Sequence, residues 1–272
     1  MIRREKDATV TRPATWPDRA GADTLAVEEP LELRVHGERL VTTMRTPGSD
    51  AELALGFLFS EGLIRSAQDI SSLSHCGRAD DRSSENVLDI VPAPGVVIEL
   101  EASARRGAAV TSSCGVCGRQ QIDDLLAGLR PLAPGAPLPM GLLERAPAAL
   151  GAAQPLFTAT GGVHAAALFD ASGELLVAKE DVGRHNAVDK AIGALLRSGR
   201  LPSTPPALLF VSSRASFDIV QKAARAQIPF VACMGAASSL AVELAERCGI
   251  CLTAFARADR STVYTFPKRL SH

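Results

Sequence analysis

The chain has 272 residues, of which 46% are hydrophobic, and its 29 basic and 30 acidic side chains leave a formal net charge of −1. That is enough apolar material for a sizeable core in one large or two modest domains, and the scattered, balanced charge excludes the basic stripe of a dedicated nucleic-acid binder. No apolar run reaches the ~18 residues of a membrane span. The N-terminus is not of signal-peptide form, and six unevenly spaced cysteines read as free thiols in a cytoplasmic protein.

Residues 1–25, with Pro13, Pro17 and Trp16, read as an irregular N-terminal arm. Leu31, Leu33 and Val35 alternate with polar residues, and a turn at His36-Gly37 leads into residues 39–44, the pattern of a β-hairpin. Ser49 and Glu52 have the spacing of a capping box before the apolar helix body Leu53–Phe59, which Gly62 is placed to end. Val87–Val91 and Val96–Leu100 read as a second strand pair joined through Pro92, Pro94 and Gly95. Proline and glycine crowd residues 128–155 around a short helix near Leu142–Ala146, which marks a domain boundary. The expected organisation is therefore an arm (1–25), an N-terminal α+β domain (26–127) and an α/β domain (128–272).

In that second half strands and helices alternate. Ala165–Phe169 and Leu175–Lys179 form a hairpin, followed by a helix at His185–Arg197 closed by Gly199. A buried strand at Ala207–Val211, a helix at 216–226, a strand at Phe230–Cys233, a helix at Ser238–Cys248 stopped by Gly249, and strands at Cys251–Phe255 and Thr262–Phe266 complete the series. Strands linked by helices imply right-handed crossovers and a locally parallel sheet.

The segment Ser113-Cys114-Gly115-Val116-Cys117-Gly118-Arg119 places two thiols three residues apart among small, flexible residues. Its glycines let another molecule's sulfur approach, and Arg119 favours thiolate. Zinc binding needs four ligands, and Cys248 and Cys251, also three apart, straddle a helix end and a strand start. A thioredoxin-like site wants a strand before the pair, and a zinc deaminase wants a His-x-Glu segment ahead of it. Here His164 comes after the pair and is followed by Ala165-Ala166. A structural role, a redox dithiol and persulfide carriage stay open on the motif alone, with no metal expected.

Polar segments punctuate the α/β half. His164, Asp181, Arg184 and His185 sit at element junctions, where they line a pocket or hold loops. Ser212-Ser213-Arg214-Ala215-Ser216 follows a buried strand and offers hydroxyls, an arginine and a helix start, the ingredients of an anion site without the Walker lysine. Phe255-Ala256-Arg257-Ala258-Asp259-Arg260 leaves the last buried strand with two arginines able to grip a diphosphate or to decorate a turn.

Taken with the Cys114–Gly118 segment, the runs Glu52–Leu58 with Ser60–Gly62, Thr160–Ala166, Glu180–Lys190, Ser212–Ser216 and Ser238–Ala245 resemble, in order, the FdhD family of formate dehydrogenase accessory sulfurtransferases, over about residues 28–267. The resemblance implies an α/β half similar to the cytidine-deaminase fold without its zinc, and a homodimer. It implies a sulfurtransferase working through a cysteine persulfide. Sulfur comes from a cysteine desulfurase and goes to the bis(molybdopterin guanine dinucleotide) form of the molybdenum cofactor, a bound substrate recognised by its guanine nucleotide, before that cofactor enters formate dehydrogenase. Cys114 maps to the sulfur-carrying position, with Cys117 as its helper. Phe255, Ala256, Arg257, Ala258, Asp259 and Arg260 map to the cofactor-binding segment, with Arg214 and His164 as further candidates. A cofactor-binding chaperone that does not itself transfer sulfur, and a dithiol oxidoreductase, are the alternatives.

Overall fold

The computed structural model describes residues 4–11, 20–76, 85–98, 129, 131–133 and 135–271. The first two strands, β1 (Glu5–Thr11) and β2 (Ala20–Ala26), pair antiparallel with each other. The expected irregular arm is thus in part a hairpin, as the Thr- and Val-bearing run Ala8-Thr9-Val10-Thr11 permits.

The hairpin expected next is present as β3 (Glu29–Val35) and β4 (Glu38–Arg45). His36 and Gly37 both take positive φ, 50° and 80°, as a two-residue turn matched to strand twist requires. Leu31, Leu33 and Val35 are buried while their neighbours are not. The four-stranded sheet is completed by β5 (Ile70–His75) and β6 (Val87–Pro92), in the order β4-β3-β6-β5. The expected pairing of Val87–Val91 with Val96–Leu100 does not form. Both edges of β6 are taken, by β3 in parallel and by β5 antiparallel, residues 96–98 are not in a strand, and residues 99–100 fall outside the described residues. The strand that displaces them, β5, is polar and edge-placed, with no alternating pattern to announce it.

Helix α1 (Asp50–Ser60) follows β4. Its end is as expected: Gly62 takes φ +71°, and the bonds Gly62 N–H to Phe59 O and Leu63 N–H to Leu58 O close a glycine-terminated motif. Its start is not. Ser49 stands in the left-handed region, at φ 58°, and makes no side-chain cap, because the capping geometry needs an extended backbone at that position. Its hydroxyl instead accepts from Lys179 Nζ at 3.1 Å, and Glu52 pairs with Arg197 at 3.1 Å.

After β7 (Leu138–Pro139), the proline-rich region holds two helices, α2 (Met140–Ala152) and α3 (Pro155–Thr160). Pro139 and Pro155 stand at or beside the helix starts, where a missing N–H is harmless, so residues that read as linker open helices. The second half then runs β8 (His164–Phe169), β9 (Leu175–Asp181), α4 (Arg184–Arg197), β10 (Leu208–Val211), α5 (Phe217–Arg225), β11 (Phe230–Cys233), α6 (Ser239–Cys248), β12 (Cys251–Ala254), β13 (Thr262–Val263) and β14 (Leu270–Ser271). These boundaries fall close to those expected, except that the last expected strand, Thr262–Phe266, shortens to β13 as Phe266 enters the left-handed region. Six of these strands form one sheet in the order β13-β12-β11-β10-β8-β9. Its centre, β10-β11-β12, is parallel as the helical crossovers imply, and β8, β9 and β13 join antiparallel. The mixed α/β class expected from the sequence is what the chain adopts.

One sheet face packs Ala165, Phe169, Leu208 and Phe210 against α2 through Leu142 and Leu143. The other face packs Leu168, Leu209, Val231 and Leu252 against α4, α5 and α6, and this core continues without a break through α1 into Leu31, Leu33 and Leu88 of the smaller sheet. The join is a helix crossing at backbone distance. A Cβ on Gly56 would stand 1.9 Å from the Asp189 carbonyl oxygen, and one on Gly193 would stand 1.8 Å from that of Glu52. For Gly56→Ala or Gly193→Ala, an overpacking cost of about 3 kcal/mol or more outweighs the about 1 kcal/mol that alanine gains in helix propensity. Urea unfolding of either variant is expected to show a net loss of about 2 kcal/mol; wild-type stability would contradict a crossing this close.

Candidate functional site

Strand direction collects the polar segments at one edge of the large sheet. Because β8 runs antiparallel to both β9 and β10, the carboxyl ends of β9, β10, β11 and β12 and the start of β8 lie side by side, the edge where open α/β sheets bind ligands. His164 opens β8 directly opposite Asp181, the last residue of β9.

The loops along this edge are laced together by backbone hydrogen bonds. Gly235 N–H donates to Ser213 O, Phe255 N–H to Gly235 O and Ala256 N–H to Cys233 O, while Ala215 and Ala237 form a parallel bridge. Gly235 has no room for a side chain, since a Cβ would lie 2.9 Å from the Arg214 backbone. Arg214 itself is exposed. His164 is half-buried and its pKa is held below the ordinary histidine value, first by burial and then by the positive charges of Arg184 and Arg214, so both arginines act on the same histidine. Arg184 is steadied by the Ser216 hydroxyl at 3.2 Å and by Asp218 at 3.7 Å.

In the segment after β12 the residues divide their roles. Arg257 donates Nη1 to the carbonyls of Met234 and Ala256, at 2.7 and 2.8 Å, and its N–H to Arg260 O. It shapes the loop. Ala256 is buried, whereas Ala258, Asp259 and Arg260 face solvent. Phe255 is 45% exposed and sits at φ +53°, an uncommon conformation for an aromatic residue and one that marks functional sites. The edge therefore offers exposed arginines, a neutral histidine and an aromatic face, a surface suited to a nucleotide's phosphate and base.

Cys114 and Cys117 lie outside the described residues. Among the described residues, Cys233, Cys248 and Cys251 are buried and Cys76 is exposed. Burial pushes all three buried thiols up, Cys251 to about 11, which leaves them protonated and poor nucleophiles near neutral pH. Cys248 and Cys251 do close a helix and open a strand. Among the described residues no cluster of His, Cys, Asp or Glu is arranged to hold a metal.

Two buried ion pairs went unread in the sequence. Asp181 is fully buried and accepts from Lys190 Nζ at 2.6 Å, Thr46 N–H at 3.1 Å, Gly183 N–H at 2.8 Å and Asn186 Nδ2 at 3.1 Å. It is the knot that ties the end of β4 to the start of α4. Asp189 is held by Lys222 Nζ at 2.8 Å to each oxygen and by the Ser60 hydroxyl at 2.9 Å. Burial raises the Asp189 carboxyl although the Lys222 charge opposes it, and burial also pulls Lys222 down, but there the charges of Asp189 and Glu61 win and raise its pKa; the lysine bonding to both carboxyl oxygens is the geometry of an ion pair. The available signal was positional: Lys222 falls on the helix face of Ile219 and Ala223, where a charge demands a buried partner. Beside this pair a cleft of about 270 Å³ opens between β4, α1 and α4.

A family model described as FdhD/NarQ matches residues 26–271. The chain belongs to the FdhD/NarQ family. It is 51% identical over 255 residues to the sulfur carrier protein FdhD of Anaeromyxobacter dehalogenans strain 2CP-C, covering 91% of this chain and 88% of that protein. It is 46% identical over 273 residues to the sulfur carrier protein FdhD of Mycobacterium tuberculosis strain H37Rv, covering 97% and 95%. The crystal structure of a protein from Desulfotalea psychrophila, proposed to be a formate dehydrogenase accessory protein, superposes with a TM-score of 0.74 at 27% identity over 98% of each chain. The family expected from the order of motifs is thereby shown.

Two outcomes follow from this electrostatic layout. Lys222→Met leaves the Asp189 carboxylate buried without its cation and is expected to cost about 3–5 kcal/mol in chemical unfolding, whereas Asp189→Leu with Lys222→Met costs less than the single change. His164 and His185 both have folded pKa values below the unfolded one, His185 chiefly through burial. The unfolded state then binds more protons, so their contribution is complete above about pH 6.5 and is lost as pH falls through the folded values. Thermal midpoints followed from neutral to mildly acidic pH are expected to fall less steeply in His164→Gln/His185→Gln than in wild type; parallel slopes would refute that assignment.

Proposed function

We propose that this protein is a sulfur carrier that accepts persulfide sulfur on Cys114 and passes it to a molybdenum cofactor on the way to formate dehydrogenase. The observation that carries the reading is the 51% identity, across nearly the whole chain, to a protein named as a sulfur carrier. The donor is a cysteine desulfurase, and the exchange takes place in the cytoplasm. The Cys114 thiolate attacks the outer sulfur of the donor's persulfide, the donor S–S bond breaks, and the donor cysteine leaves as thiolate, so no external oxidant is consumed. Cys117, three residues on, assists or receives the sulfur in turn.

The acceptor, as substrate, is the bis(molybdopterin guanine dinucleotide) cofactor. Phe255–Arg260, with Arg214 and His164, is its binding surface in this reading. Exposed Arg214 and Arg260 face the phosphates, exposed Phe255 offers a ring to guanine, and Arg257 holds the loop through Met234 and Ala256. The reading includes a homodimer.

Incubation with a cysteine desulfurase and cysteine, followed by intact mass spectrometry, is expected to show one added sulfur that is lost in Cys114→Ala and retained in part in Cys117→Ala. No added sulfur in wild type, or an unchanged level in Cys114→Ala, would sink the reading. A double cysteine variant that still yields active formate dehydrogenase would instead identify a cofactor chaperone. For the binding surface, Arg214→Ala and Phe255→Ala are each expected to weaken GDP about tenfold by calorimetry, on the scale of one charge-assisted hydrogen bond or one stacked base.

A further inference from the structure

The cleft between β4, α1 and α4 plays no part in the edge site. Its walls are apolar, from Leu33, Val41, Met44, Leu53 and Phe57, its floor carries His185, Asn186, Asp189 and Lys222, and exposed Glu28 also lines it. Most of that floor is already committed. Asn186 donates to Met44 O at 2.7 Å and to Asp181, and accepts from the Thr43 hydroxyl at 3.3 Å. Asp189 and Lys222 cancel each other's charge across 2.8 Å. His185 stands one helical turn before Asp189, and among the described residues its ring makes no hydrogen bond or ion pair.

These groups select a narrow class of ligand. A phosphate or carboxylate entering the cleft would lose its hydration against a floor of cancelled charge and would meet the Glu28 carboxylate in the lining. A neutral weak acid with a polarisable body fits. The Met44 thioether and the Phe57 ring make favourable contacts with sulfur, and an unoccupied imidazole accepts a proton from a group that ionises near neutral pH. Thiols, with pKa near ~8.5, do so, and alcohols do not.

We propose that this cleft binds a small uncharged thiol or hydropersulfide and that His185 takes its S–H proton. As the sulfur attacks the outer sulfur of a persulfide, its S–H bond breaks and an N–H bond forms on the imidazole, while the sulfur's electron pair goes into the new S–S bond, so no free anion accumulates in the cleft. As the persulfide's own S–S bond breaks, the departing thiolate takes that proton back, so the exchange needs no oxidant or reductant. The groups facing His185 suit both states: burial, Lys222 and Arg184 favour the free base, while Asp189 and Asp218 favour the imidazolium. Its biological use rests on the sulfur-carrier reading, but the site is testable apart from it.

In full-length protein labelled with ¹⁵N in its histidines, with His185 assigned through bonds, 2-mercaptoethanol is added at about pH 7, within the histidine titration range, and ethylene glycol serves as the hydroxyl control. The thiol is expected to shift the His185 ring nitrogen that accepts its S–H hydrogen bond while the diol leaves it in place. No response to the thiol, or an equal response to the diol, overturns the proposal. In a second arm, sulfur loading from a desulfurase is expected to be at least tenfold slower in His185→Gln and to lose its dependence on pH across the histidine range; wild-type loading in that variant overturns the proton role. Absence of loading in the wild type would defeat the carrier reading, with the nitrogen resonances still deciding the cleft.

Discussion

Everything in this molecule hangs on the crossing of α1 and α4 at backbone distance. Two glycines, Gly56 and Gly193, each face a carbonyl oxygen of the opposite helix so closely that no side chain can stand between. Close packing of this kind has almost no tolerance for slippage, so it sets the position of the smaller sheet relative to the larger one. The Asp189–Lys222 and Asp181–Lys190 pairs lie beside the crossing and are buried with it. Buried ion pairs add little net stability against an apolar alternative, but a pair that is satisfied in only one arrangement penalises every other register.

That constraint has consequences at both polar regions. The Asp181 knot holds Thr46, Gly183 and Asn186 together, which fixes where α4 begins and hence the place of Arg184, whose charge acts on His164. The same crossing leaves a gap between the smaller sheet and α4, the cleft floored by Asp189 and Lys222. The edge of the large sheet carries exposed Arg214 and Arg260, whereas the cleft is apolar-walled over the paired Asp189 and Lys222, with Glu28 in its lining. The two are suited to different chemistry, anion recognition at one and proton transfer to a neutral imidazole at the other.

The history of individual segments shows how context overrode local pattern. Ser49 and Glu52 have capping-box spacing, yet Ser49, following Gly48 at φ +95°, is itself left-handed and serves Lys179. Prolines that read as a linker instead open α2 and α3. The polar strand β5 forms because β6 needs a partner on its second edge, a requirement invisible within β5's own residues. Conversely, strands and helices of the second half matched expectation closely, since strong apolar runs there are punctuated by Gly199 and Gly249, both at positive φ.

From sequence alone came the family, read from the order of short polar motifs, the mixed α/β class and the parallel centre of the large sheet, while His164, Arg214 and Phe255–Arg260 were candidates only. Those features are local or are carried by spacing, and spacing is a property of the chain. Tertiary structure alone decided that Arg184 and Arg214 share His164, that Arg257 holds its own loop, and that Lys222 is an interior ion rather than a surface one. Each of these depends on which charges meet across the fold. A buried charge is tolerated only where an opposite charge arrives from elsewhere in the chain, and here Lys222 and Asp189 are brought to 2.8 Å by helices whose approach is set by two glycines.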